Sequence, residues 1–202
     1  MTEPHRIWPR HFNRAMTGLT LIELMVGLVV LGALTAIGLP SFRGAINNSR
    51  LSSTSNELLG AVQLARAEAI RGNGRVVFCQ SANGTACSND PVWVGWMLFT
   101  DSNGDGAVSA GEPIIKSGLI DASLQVRASP AISGGSNLIR FGANGLALGA
   151  TETALFNARI AVCVASTEPA INVRDITISS GGRTSILMRS SAGVCSTAPS
   201  DT

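Results

Sequence analysis

From Leu19 to Leu39 the chain runs for 21 residues with a single charge, the carboxylate of Glu23. As an α-helix rising about 1.5 Å per residue, such a run is roughly 30 Å long, the thickness of a bilayer core, so a membrane-spanning helix is the first expectation. A carboxylate in the middle of a span costs on the order of 2.5–3.5 kcal/mol and less near an end, where Glu23 stands. Something is expected to compensate that charge. Ahead of the run Arg6, Arg10, His11 and Arg14 face one acid, Glu3, a positive flank that stays on the cytoplasmic side and directs the rest of the chain outward. The run is longer than the apolar core of a secretory signal and has no A-x-A site near its end, so it is read as retained.

The residues beyond it number roughly 160, the size of one compact domain. The formal charge of +2 is set by the leader through Gly18; without its three arginines and one acid, basic and acidic side chains number twelve each. A chain so balanced has no global field for nucleic acid, and any such binding has to come from a local patch. Both histidines, His5 and His11, lie in the leader. The outward part therefore lacks the commonest general base and transition-metal ligand, which argues against an enzyme. Its four cysteines, Cys79, Cys87, Cys163 and Cys195, are an even set in an oxidising compartment and read as disulfides. Pairing Cys79 with Cys87 and Cys163 with Cys195 is preferred, because the first pair brackets the turn-rich QSANGTA. A four-thiolate zinc site is the competing account; it lacks any C-x-x-C pair.

After Pro40 the spacing of Leu51, Leu58, Val62, Ala65 and Ala69 predicts an amphipathic helix stopped by Gly72-Asn73-Gly74. Pro40 is expected to kink what is otherwise one long helix. The period then changes. RVVFCQ, PVWVGWMLFTD, EPIIKSGLI, SLQVRAS, NLIRFGANGLAL, ARIAVCVAS and VRDITISSGGRTSILMR are short, β-branched and separated by Gly, Asn, Asp and Ser, so they read as antiparallel strands. Asn144-Gly145 and Gly181-Gly182 sit where hairpin turns need positive φ. The expected fold class is α+β, a long bent helix, transmembrane in its first half, packed on an antiparallel sheet of hairpins. Its parts are a leader over 1–18, a transmembrane and assembly helix over 19–39, an amphipathic helix over 40–74 and a globular β domain over 75–202.

GLTLIELMVGLVVLGALTAIGLP, preceded by a short basic leader ending in Gly18, resembles the N-terminal signature of type IV pilins and type II secretion pseudopilins. The resemblance implies cleavage between Gly18 and Leu19 by prepilin peptidase and N-methylation of Leu19, which stands where the family usually has Phe. It also implies a helix kink at Pro40 and pairing of Glu23 with the N-terminal amine of a neighbouring subunit. That pairing is physically reasonable, since each buried charge needs a partner. GWMLFTDSNGDGAVSAGEPII, the strand around Cys163, SSGGRTSILMR and Cys195 are similar to the GspH/FimT group of minor pilins. The implied function is structural: a subunit of the inner membrane, its C-terminal domain periplasmic, that joins other pilins or pseudopilins to initiate or cap a type IV pilus or a type II secretion pseudopilus. No catalytic residue and no cofactor are expected.

Two further patterns carry rival readings. Asp101, Asn103, Asp105, Ala107 and Glu112 in DSNGDGAVSAGE occupy calcium-ligand positions of an EF-hand loop, but strand-like flanks replace the helices such a loop needs, and turn geometry alone accounts for the composition. Some FimT-like proteins bind DNA in natural transformation through Gly-Arg-x-Arg. The corresponding stretch here is Gly182-Arg183-Thr184-Ser185, so a DNA contact would draw on Arg183 with Arg189, helped by Arg174 and offset by Asp175. Trp93 and Trp96, three residues apart, are expected on opposite strand faces, one in the core and the other at an interface.

Overall fold

Thr20 starts the first helix. Its Oγ1 accepts the backbone N–H of Glu23 at 3.2 Å, the N-cap half of a T-x-x-E capping box. Helix α1 (Leu21–Arg71) follows and stops where the glycines predict, with Gly72 N–H donating to Glu68 O at 2.8 Å, Gly74 N–H to Ala69 O at 3.1 Å, and Asn73 at φ 46°. The computed structural model describes residues 18–149 and 157–201, without the side chains of 37–41. The leader over 1–17 and the side chain of Pro40, with the kink expected there, lie outside the described residues. The chain divides into two compact units, Met1–Leu39 and Pro40–Thr202.

Among the described residues no helix is long and apolar enough to cross a membrane. The side chains of the apolar half are described as far as residue 36. Along this stretch the large apolar side chains are exposed, from Leu21 at 76% to Val30 at 51%.

The second unit carries the domain. Its strands are β1 (Val76–Gln80), β2 (Gly95–Thr100), β3 (Ile114–Leu119), β4 (Leu124–Ala128), β5 (Leu138–Phe141), β6 (Ala147–Leu148), β7 (Ala158–Val164), β8 (Val173–Ile178) and β9 (Thr184–Arg189), with a one-turn helix α2 (Pro130–Ser133) before β5. They form two antiparallel sheets, ordered β3-β2-β1-β5-β6 and β4-β7-β8-β9, where hairpin reading gives one. The difference arises from β1, which pairs with distant β5 as well as with β2, and from β4, which leaves its neighbour β3 to pair with β7. Hairpin signals are local, and these pairings are not. The Asn144-Gly145 and Gly181-Gly182 turns join β5 to β6 and β8 to β9, with Gly145 and Gly182 both at φ 72°.

One hydrophobic cluster joins both sheets to the helix. Leu51, Leu58, Val62, Ala65 and Ala69 of α1 pack with Phe78, Leu98 and Ile139 of the first sheet and Val126, Ile160, Val162 and Ile176 of the second. Leu51, Leu58 and Val62 are fully buried, each contributing about 1.5–3 kcal/mol of burial free energy. Trp93 and Trp96 correct the expectation of opposite faces. Both are buried in this cluster, with ring centroids 5.6 and 6.0 Å from Phe78. Trp93 bridges to Val126 of the second sheet, whereas β2 of the first sheet begins only at Gly95. Alternation is therefore broken between the two tryptophans.

Candidate functional site

The N-terminal site is a helix end carrying an acid. Leu19, 75% exposed, precedes the Thr20 cap, and the exposed Glu23 lies in the first turn of α1. A carboxylate there is favoured by the helix dipole and by the free N–H groups of the first turn. Gly18 lies just ahead of this end, among the described residues. Thr20 was missed as a functional residue, although the T-x-x-E spacing that reveals it is plain in the sequence.

The acidic loop joins β2 to β3. Asp101, Asp105 and Glu112 each bring one carboxylate oxygen to within 4.8 Å of the others, so they are the residues that could hold a cation. The same carboxylates organise the loop. Buried Asp101 accepts the N–H groups of Gly104 at 2.7 Å and Gly106 at 3.2 Å, and stands 3.9 Å from the Nε of Arg140. Glu112 accepts from Ser102 at 2.7 Å, Asn103 at 3.3 Å and Ser109 at 2.9 Å. Asn103 donates to Asp105 at 2.8 Å, and the N–H of Ala107 donates to Asp105 at 2.8 Å. These last bonds, the Ala107 amide first, hold the Asp105 carboxyl below its ordinary range. Gly106, at φ 74°, leaves the room that the Arg140 guanidinium fills.

Two disulfides close the domain, Cys79 to Cys87 across the QSANGTA loop and Cys163 to Cys195. The second ties the C-terminal tail over the outer face of β7 and β8, where Cys163 and Cys195 pack with Ala161 and Val173.

The arginines separate by environment. Arg174 is buried and structural, its Nη2 donating to Asn48 of α1 at 2.7 Å and its Nη1 to the carbonyls of Ile171 and Val173. Arg189 is bound to Asp175 at 2.6 Å. Arg183 is exposed on the β8–β9 turn, and its guanidinium has no partner among the described residues. It shares with Arg66 an open groove of about 450 Å³ lined also by Gln63, Ile70, Gly182 and Thr184. Arg66 donates to the carbonyls of Gly145 at 3.0 Å and Gly182 at 3.4 Å. A Cβ on Gly182 would stand 2.7 Å from Nε of Arg66, so glycine is what lets the turn approach the helix. Nothing in the local sequence around Arg66 marks it, because its meeting with Arg183 spans most of the domain.

The model of the family described as type II transport protein GspH matches residues 54–182, well over half of the chain. The chain belongs to the GspH family. This is a family of pilin-type structural subunits, and membership implies interaction with other pilins in a pilus or pseudopilus. Among solved structures the chain is similar to the type IV minor pilin FimU of Pseudomonas aeruginosa, at 22% identity and a TM-score of 0.48, over 76% of this chain and 96% of that one. It is also similar to the minor pseudopilin EpsH from the type 2 secretion system of Vibrio cholerae, at 10% identity and a TM-score of 0.46, over 69% of this chain and 97% of that one. No curated protein matches the chain.

Proposed function

We propose that this GspH-family chain is a membrane-anchored minor pilin or pseudopilin that helps to initiate or cap its filament. The observation that carries the reading is the apolar helix of the first unit, whose large side chains from Leu19 to Leu34 are more than half exposed in the single chain. A continuous apolar surface of that size requires a cover, either lipid or the same helix of neighbouring subunits. In this reading prepilin peptidase cuts after Gly18, and Leu19 becomes the new terminus. Residues 19–39 hold the protein in the inner membrane until assembly, with the domain on the periplasmic side. Glu23 then meets the N-terminal amine of an adjacent subunit, neutralising two charges that would otherwise be buried alone.

A role in DNA uptake is less well supported. With Arg189 engaged by Asp175 and Arg174 by Asn48, Arg183 and the partly engaged Arg66 are left to meet phosphate, and so few contacts give weak, salt-sensitive association. The assembly reading is tested by intact-mass measurement of the protein extracted from membranes of cells that have the peptidase. A chain beginning at Leu19 with one added methyl group is expected; a chain still beginning at Met1 would overturn the reading.

A further inference from the structure

Strand β9 is one edge of the second sheet. Its register shows which backbone groups are free. Ser179 N–H donates to Arg183 O at 2.9 Å, and β8 pairs with β9 as Thr177↔Ser185, Asp175↔Leu187 and Val173↔Arg189. Val164 N–H donates to Asn172 O on the other side of β8, which fixes the same alternation independently. The odd-numbered residues of β9 thus bond to β8, and the N–H and C=O groups of Thr184, Ile186 and Met188 point away from the sheet.

The other edges are guarded. Trp93 N–H bonds Val126 O on β4 at 2.9 Å. Strand β3 carries Lys116 and a register break between Leu98 and Phe99 of its partner. Strand β6 has two residues. Charge, irregularity, shortness and cover are the usual devices against edge pairing. Strand β9 has six residues in unbroken register, no proline and no lysine, and exposes Leu187 at 48% and Met188 at 65%.

Charge selects the occupant. The Thr184 end of β9 opens into the groove of Arg66 and Arg183, which no carboxylate lines among the described residues. A strand running antiparallel to β9 brings its C-terminal end there, whereas a parallel one brings its amino end. A second copy of β9 would set Arg189 opposite Arg183 and supply no anion. We propose that β9 binds an extended segment of a different protein subunit, antiparallel, with alternating apolar residues and a carboxylate at its C-terminal end held by Arg183 and Arg66. Nucleic acid fits less well, since it cannot continue the backbone ladder that Thr184, Ile186 and Met188 offer. This surface uses Arg66 and residues 183–189 and none of Gly18, Leu19 or Glu23, so β9 binding can fail while the assembly role stands, and the reverse.

The test uses the full chain in detergent and a fluorescently tagged heptapeptide of alternating Val and Thr ending in Glu with a free carboxylate, read by anisotropy. Saturable binding is expected, at least tenfold weaker for the C-terminal amide with Gln in place of Glu, and at least tenfold weaker for Arg183→Gln. Met188→Pro removes one outward N–H at an exposed position and should abolish binding. If that variant unfolds, peptides N-methylated at alternate residues in the two registers serve instead: one register should bind and the other not. No binding at millimolar peptide, or binding indifferent to the carboxylate and to both variants, would overturn the proposal. So would displacement of the peptide by a short DNA duplex that binds Met188→Pro as well as wild type, or self-association of the chain that Met188→Pro removes.

Discussion

Replacing Cys163 and Cys195 together by alanine should cost more stability than replacing Cys79 and Cys87, by an amount that the loop lengths set. The long bridge closes a separation of 32 residues and the short one a separation of 8. Loop-closure entropy gives about 3.7 kcal/mol for the first and about 2.5 kcal/mol for the second at 25 °C. The gap of about 1.2 kcal/mol should widen, because the long bridge also holds the tail that covers Ala161 and Val173. That tail is otherwise fastened by Arg127 Nε to Cys195 O at 3.0 Å and by Ala131 N–H to Asp201 at 3.0 Å, bonds worth only about 0.5–1.5 kcal/mol each when neutral and up to about 3 when charged. Urea unfolding of the full chain in detergent, followed by the fluorescence of buried Trp93 and Trp96, measures both double variants. A loss for the short bridge equal to or larger than that for the long one would refute the reasoning.

Acid should weaken the domain through its loops. The carboxyls of Asp105, bonded by the Ala107 amide and Asn103, and of Asp121, bonded by the Ser123 hydroxyl and amide, both lie below their ordinary value of 3.8. The stability they add is therefore fully present above that value and lost as pH falls through the lower folded one. The thermal midpoint by circular dichroism should drop between pH 5 and pH 2, with a shallower slope in Asp105→Asn. Calcium tests the same loop: if the carboxylate–amide bonds hold it without a cation, millimolar calcium leaves the midpoint within about a degree. A rise of several degrees, by linkage, would make Asp101, Asp105 and Glu112 a cation site.

Local features of the fold were legible, and long-range ones were not. The helix stripe from Leu51 to Ala69 is buried as its spacing demands, and α1 ends at the glycine-rich stop, because both depend on residues within a turn or two of one another. The two hairpin turns were likewise readable from Asn144-Gly145 and Gly181-Gly182. The split into two sheets was not, since nothing near β1 or β4 announces β5 or β7 as a partner. Trp93 and Trp96 misled because strand periodicity was extended across a break in the strand. At the sites, the acidic loop declared itself by composition, and the roles its carboxylates play did not. Arg189 looked available until Asp175, fourteen residues earlier in the chain, was placed beside it. Arg66 drew no attention, because only the folded hairpin brings Gly182 and Arg183 to its helix.

The most direct test of the assembly account is Glu23→Gln in the full-length chain, measured as cysteine or photo-crosslinking to partner pilins alongside membrane abundance. The amide keeps the length and apolar surface of the helix and removes only the charge, and a neutral amide is cheaper to bury than an unpaired carboxylate. The account predicts normal processing and normal membrane abundance with crosslinking to neighbouring subunits reduced several-fold. Crosslinking at the wild-type level, or loss of the protein from the membrane, would contradict it.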